Sequence, residues 1–149
     1  MPTPLPQEIG RTLMLMAGDF QSRLDADLEA RGVQGISQRH RIIFLHLGQH
    51  GASRSVDLAQ AAGIRPQSMM VIIHELEDMG LIERRPDPRD LRAKLIDFTA
   101  SGRQLIKELT RSTETVWGQY RDIAGKEQLQ NIFEGLNSLL SHSAGDTSA

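Results

Sequence analysis

At Gly80 the spacing of apolar residues changes from a helical period to an extended one, and this switch limits what the chain can become more than any other feature. Before it, apolar residues recur every three or four positions. After it comes Leu81-Ile82-Glu83-Arg84-Arg85, a strand pattern. Pro86-Asp-Pro-Arg-Asp90 carries two prolines and two aspartates and predicts a loop, and Arg92 to Phe98 predicts the returning strand. The result is one charged hairpin within a helical chain, in the order α-α-α-α-β-β-α-α.

Residues 7–31 set Ile9, Leu13, Met16, Phe20, Leu24 and Leu28 on one stripe of a long helix that stops at Gly32. Ser37 can N-cap a second helix with Ile43, Phe44 and Leu47 inward, ending near Gly51. Ser55 opens a short third helix broken by Gly63 and Ile64, and Pro66 suits the first turn of a fourth that runs to Gly80. After the hairpin, Thr99 can N-cap a fifth helix with Leu105, Leu109, Val116, Tyr120 and Ile123 on one face. A sixth, over about 126–141, carries Leu129, Ile132, Phe133, Leu136, Leu139 and Leu140, an apolar side suited to packing against another helix, including one of a second chain. Residues 142–149 read as a disordered tail.

At 149 residues the chain is expected to form a single domain, 1–149, with its own core. Apolar residues at 39% plus 13 glycines approach the usual globular share, which excludes disorder along the whole length. The absence of cysteine excludes a disulfide scaffold, thiolate metal sites and a cysteine nucleophile. Met1-Pro-Thr-Pro-Leu-Pro-Gln-Glu has neither a basic nor an apolar leader segment, and no run approaches a membrane span, so a soluble, cytoplasmic protein with no membrane partner is expected. The net charge of -2 argues against nucleic acid at first sight. Its distribution argues the other way: Arg84, Arg85, Arg89, Arg92 and Lys94 against Asp87 and Asp90 make the hairpin basic and leave the remainder strongly acidic.

The third and fourth helices carry the most information. A helix-turn-helix needs a small residue at the crossing, a turn residue that tolerates positive φ, and apolar residues locking the second helix to the first. Ala59, Gly63, Met69 and Ile72 fill those roles. With Met69, Ile72, Ile73, Leu76 and Met79 on the buried side, Gln67, Val71, His74 and Asp78 point outward, flanked by Ser68 and Met70. The N-terminal half of that face carries no acid, and the helix start offers free N–H groups beside Arg65 to a phosphate. A basic ribbon directly after such a helix can place Arg89 and Arg92 in an adjacent minor groove.

The segments Leu58-Ala59, Pro66-Gln-Ser-Met, Leu76-Glu-x-x-Gly80-Leu-Ile-Glu-Arg-Arg-Pro-Asp-Pro-Arg-Asp90-x-Arg92 and Phe98-Thr99-x-x-Gly102 resemble the multiple-antibiotic-resistance regulator (MarR) family of winged helix-turn-helix transcription factors. The resemblance implies a mainly α fold with a small β-hairpin wing, a DNA-binding lobe at 37–99, and dimerisation helices at 7–31 and 100–141. It further implies a homodimer that binds an inverted-repeat operator in double-stranded DNA, usually as a repressor released by a small aromatic or anionic effector. Arg92 matches the wing arginine of the minor groove, Asp90 the acid that braces it, and Gln67 and Ser68 positions near bases or phosphate. Val71 departs from the pattern, since many members have arginine there; valine touches a thymine methyl instead of pairing with guanine.

The DNA-contact candidates are therefore Arg65, Gln67, Ser68, Met70, Val71, His74, Arg84, Arg85, Arg89, Asp90, Arg92 and Lys94. Effector candidates near the first, second and fifth helices are Met16, Phe20, His40 and Arg41. His46 and His50 stand at a metal-binding spacing, but with no acid between them and no cysteine they read as solvated or interfacial, and no metal or cofactor is expected. Phosphate-loop, His-Glu-x-x-His and Gly-x-Ser-x-Gly patterns are absent, so an enzyme is not expected. A winged helix serving as a protein-interaction module without DNA is the alternative; it would gain little from Arg89, Arg92 and an acid-free reading face.

Overall fold

The computed structural model describes residue 3 and residues 5–145. Eight elements follow in order: α1 (Pro6–Ala30), α2 (Gln38–His50), α3 (Ser55–Ala62), α4 (Pro66–Asp78), β1 (Ile82–Asp87), β2 (Asp90–Phe98), α5 (Ala100–Ala124) and α6 (Lys126–Gly145). Helix boundaries sit where the chemistry puts them. Gly51, Gly63 and Gly80 take positive φ at or just beyond helix ends, and the Thr99 hydroxyl accepts from the Gly102 amide at 3.1 Å while donating to the Gly80 carbonyl at 2.6 Å.

The core lies where α2, α3, α4 and the hairpin meet. Ile43, Phe44, Leu58, Met69, Ile73 and Leu76 are almost wholly buried, joined by Leu28 from α1, Leu109 from α5, and Ile96 and Phe98 from β2. Phe44 and Phe98 stack with ring centroids 5.3 Å apart, tying α2 to the end of the hairpin. Ser53, in the link between α2 and α3, exchanges backbone hydrogen bonds with Ile96 at 3.0 and 2.8 Å, so the base of the ribbon is fastened to the helical lobe.

The structure corrects the sequence expectations at several points. The hairpin reaches farther than a 86–90 loop allows: β1 runs to Asp87, β2 starts at Asp90, and only Pro88 and Arg89 turn. A two-stranded ribbon leaves one edge of each strand open, where a proline removes no ladder bond. The irregularity falls elsewhere: Pro86 pairs with Lys94 but Asp87 with Asp90, so Leu91, Arg92 and Ala93 bulge from the returning strand. Met79 is 41% exposed because α4 ends at Asp78 and releases it from the buried stripe. Met70, expected to flank the outward stripe as a DNA-contact candidate, is half-buried against the core. Helix α6 continues to Gly145, into the segment read as a tail, whose last part, 146–149, lies outside the described residues.

The long helices α1 and α6 are only partly covered by the chain itself. Leu24 and Leu28 are buried, whereas Ile9, Leu13 and Met16 of the same stripe are about half exposed. On α6 only Leu129 is buried among the residues whose side chains are described; Ile132, Phe133 and Leu136 remain open, as does Ile123 on α5. No helix among the described residues is long and apolar enough to cross a membrane.

Candidate nucleic-acid interface

Helix α4 presents its face as the periodicity predicts. Gln67, Ser68, Val71, His74 and Asp78 are exposed, and Met69, Ile72, Ile73 and Leu76 are buried. Pro66 occupies the first helical position and Arg65 the extended cap position, with no side-chain cap there. The first-turn amides of Gln67 and Ser68 thus end in open space with the positive end of the helix dipole.

Three acids beside this face are already engaged. Glu75 accepts from Arg39 and from His40 Nε2, both at 2.8 Å, and its carboxyl is held below the ordinary range chiefly by that His40 bond. Glu77 accepts from Arg84 Nε at 2.8 Å, with Arg84 Nη2 at 2.6 Å from the same oxygen. Asp97 pairs with Arg85 at 3.1 Å. Arg84 and Arg85, both DNA-contact candidates, are accordingly committed to acids of their own chain. Among the described residues Arg65, Arg89, Arg92 and Lys94 form no side-chain ion pair, and all four are exposed.

One functional pair escaped the sequence reading. Asp87 is 3% exposed, and its Oδ2 accepts from Arg54 Nε and Nη2 at 2.9 and 2.6 Å while Oδ1 accepts from the Arg89 amide at 2.9 Å. The Arg89 amide and Arg54 together hold its carboxyl below the usual range. Arg54 caps α3, so this pair fixes the wing tip to the first helix of the helix-turn-helix. The 33-residue separation gives no local signal. Asp90, expected to brace Arg92, accepts from the Arg92 backbone amide at 3.1 Å and leaves the guanidinium free.

Between α1, α2 and α5 lies a cavity of about 340 Å³, walled by Phe20, Leu24, Ile42, Leu45, Ile106 and Leu109 with Arg41 as its cation. Arg41 Nη1 donates to Asp25 at 2.7 Å and Nη2 bonds Gln21, while Nε is buried without a partner. Phe20 and Arg41 therefore meet at the cavity; Met16 is exposed on α1 outside its lining, and His40 is turned inward to Glu75. The His46 and His50 rings lie with centroids 4.5 Å apart, tilted by 39°, and no group of three metal-ligating side chains gathers among the described residues.

By its fold the lobe from α2 through β2 is a winged helix-turn-helix, two crossed helices followed by a basic antiparallel ribbon. Residues 34–93 match the family model described as MarR family. An uncharacterized HTH-type transcriptional regulator of Mycobacterium leprae (strain TN) is 37% identical over 68 residues, 46% of this chain and 48% of that protein. The chain thus aligns with about half the length of such relatives. The fold extends further. A MarR-family transcriptional regulator from Rhodococcus sp. RHA1 superposes with a TM-score of 0.75 at 23% identity, covering 93% of this chain and 96% of that one. CouR from Rhodococcus jostii RHA1, bound to p-coumaroyl-CoA, gives 0.74 at 23% identity, covering 93% and 95%.

Proposed function

We propose that the chain is a sequence-specific DNA-binding transcriptional regulator that works in the cytoplasm as a homodimer on an inverted repeat. The observation that carries this reading is the pairing of an acid-free, exposed start of α4 with a braced wing whose Arg89, Arg92 and Lys94 have no acid of their own. Helix α4 enters a major groove by its exposed stripe from Gln67 to His74, and the Leu91–Ala93 bulge carries Arg92 to the flanking minor groove. Two copies then read half-sites about one helical turn, roughly 10 bp, apart.

The regulator acts as a repressor that a small ligand releases from DNA. The apolar cavity with Arg41 at its edge suits a compact aromatic or anionic effector. CouR, which shares this fold, was solved bound to p-coumaroyl-CoA. Such a ligand releases DNA only by favouring a lobe arrangement unfit for adjacent grooves.

Fluorescence anisotropy tests the reading. A palindromic duplex from upstream of the protein's own gene is expected to bind at least ten-fold more tightly than random duplex at moderate salt, and equal affinities would refute sequence-specific recognition. Arg92→Ala is expected to lower the slope of log affinity against log salt by about one unit. An unchanged slope removes Arg92 from the interface.

A further inference from the structure

We propose that His74 reads a hydrogen-bond acceptor on a base edge in the major groove, and that Arg84 is the positioning residue that fixes the imidazole for that task. This rests on the DNA-binding reading above. His74 shares the outward stripe of α4 with Gln67 and Val71 and is exposed. Arg84 reaches it from β1: its guanidinium is anchored on Glu77, and its Nη2 lies 3.0 Å from His74 Nε2. A guanidinium has donors only, so Nε2 must be the acceptor in this contact. The ring's donor is then Nδ1. The four side chains His74, Glu77, Asp78 and Arg84 line one open hollow at this end of the helix.

The consequence is a defined direction of hydrogen bonding. In the major groove guanine offers two acceptors, N7 and O6, adenine N7 and thymine O4, whereas cytosine offers a donor. An imidazole held with Nδ1 as donor selects against cytosine and favours guanine. Removing Arg84 leaves the Glu77 carboxylate, an acceptor, as the nearest partner on the same helix, three residues away. Nε2 then becomes the donor, Nδ1 the acceptor, and the preference at that base relaxes or reverses. The sequence reading grouped Arg84 with the DNA-contact candidates of the basic ribbon; its place between Glu77 and His74 gives it a different task.

Selection from a random duplex library tests this with wild-type protein, His74→Ala, Arg84→Met and Arg84→Lys, each confirmed as folded by circular dichroism. Wild type is expected to enrich a palindrome with one position per half-site where guanine is preferred over cytosine by roughly ten-fold, the discrimination of one good base contact. His74→Ala loses the preference at that position alone. Arg84→Met loses it with His74 still present, and Arg84→Lys, again a pure donor, restores it. A palindrome from His74→Ala with the same preference at every position would overturn the assignment, as would uniform weakening of all sequences, which places His74 on phosphate. If wild type enriches no motif, both this assignment and the DNA-binding reading fall.

Discussion

A methyl group at Gly102 would sit 2.0 Å from the Leu81 carbonyl oxygen, so α5 can dock beneath the hairpin only with glycine at that point. The constraint is one of space, because a backbone atom cannot step aside as a side chain can. Gly102→Ala is expected to destabilise the fold by roughly 1–3 kcal/mol, seen as a lower urea midpoint with unchanged slope. The glycine was legible in the Phe98-Thr99-x-x-Gly102 segment, but its reason was not, since Leu81 reaches it only through the turn after α4. His40 teaches the converse. It was a candidate for binding a ligand, yet it is 5% exposed, accepts from the Ser37 amide at 3.1 Å and contacts Glu75 of α4. A buried imidazole needs partners, and these were 3 and 35 residues away.

The wing depends on a pair that no periodicity exposes. Arg54 and Asp87 join the start of α3 to the hairpin tip, and the aspartate also holds the Arg89 amide. Asp87→Asn is expected to weaken both bonds without emptying the core. Amide exchange at residues 88–94 should rise while the global unfolding midpoint moves little, and affinity for the operator should fall because Arg92 is no longer preset. Equal exchange in both proteins would show that the hairpin holds its shape alone. Helix α4 behaved otherwise. Its buried and exposed stripes follow the 3.6-residue period from Pro66 to Asp78, with Met70 half-buried on the boundary between the faces, and the pattern failed only at Met79, beyond the last helical residue.

The single chain leaves apolar faces of α1 and α6 open. Ile9, Leu13, Ile132, Phe133 and Leu136 together suit a second copy, as the homodimer reading requires. Sedimentation equilibrium is expected to show a dimer for wild type and a helical monomer for Ile132→Asp combined with Leu136→Asp; a wild-type monomer would remove the twofold reading of DNA. Stability should also follow pH in a defined way. Asp19 is held below the ordinary carboxylate range by the Tyr120 hydroxyl and Arg23, Asp27 by Arg31, Glu75 by His40, and Asp87 by the Arg89 amide and Arg54. Their folded values lie below the unfolded ones, so their contribution is complete above about pH 4 and is lost as pH falls through the lowered values. Tyr120 is pushed up to about 12 by burial and by Asp19. Its contribution is complete below its ordinary value near 10 and is lost as pH rises toward 12. Urea midpoints should therefore stay level from pH 5 to 9 with respect to these groups and fall outside about 4 and 10.

Local patterns were enough to set the order of the elements, the helix caps, the outward stripe of α4 and the basic character of the ribbon, because each depends on residues within a few positions of one another. Side-chain partnership was settled by folding. Whether Arg84 faces a phosphate or His74, whether His40 lines a cavity or holds α4, and how Asp87 comes to be buried all turn on which elements touch, and attraction between charges acts through space whatever their distance along the chain.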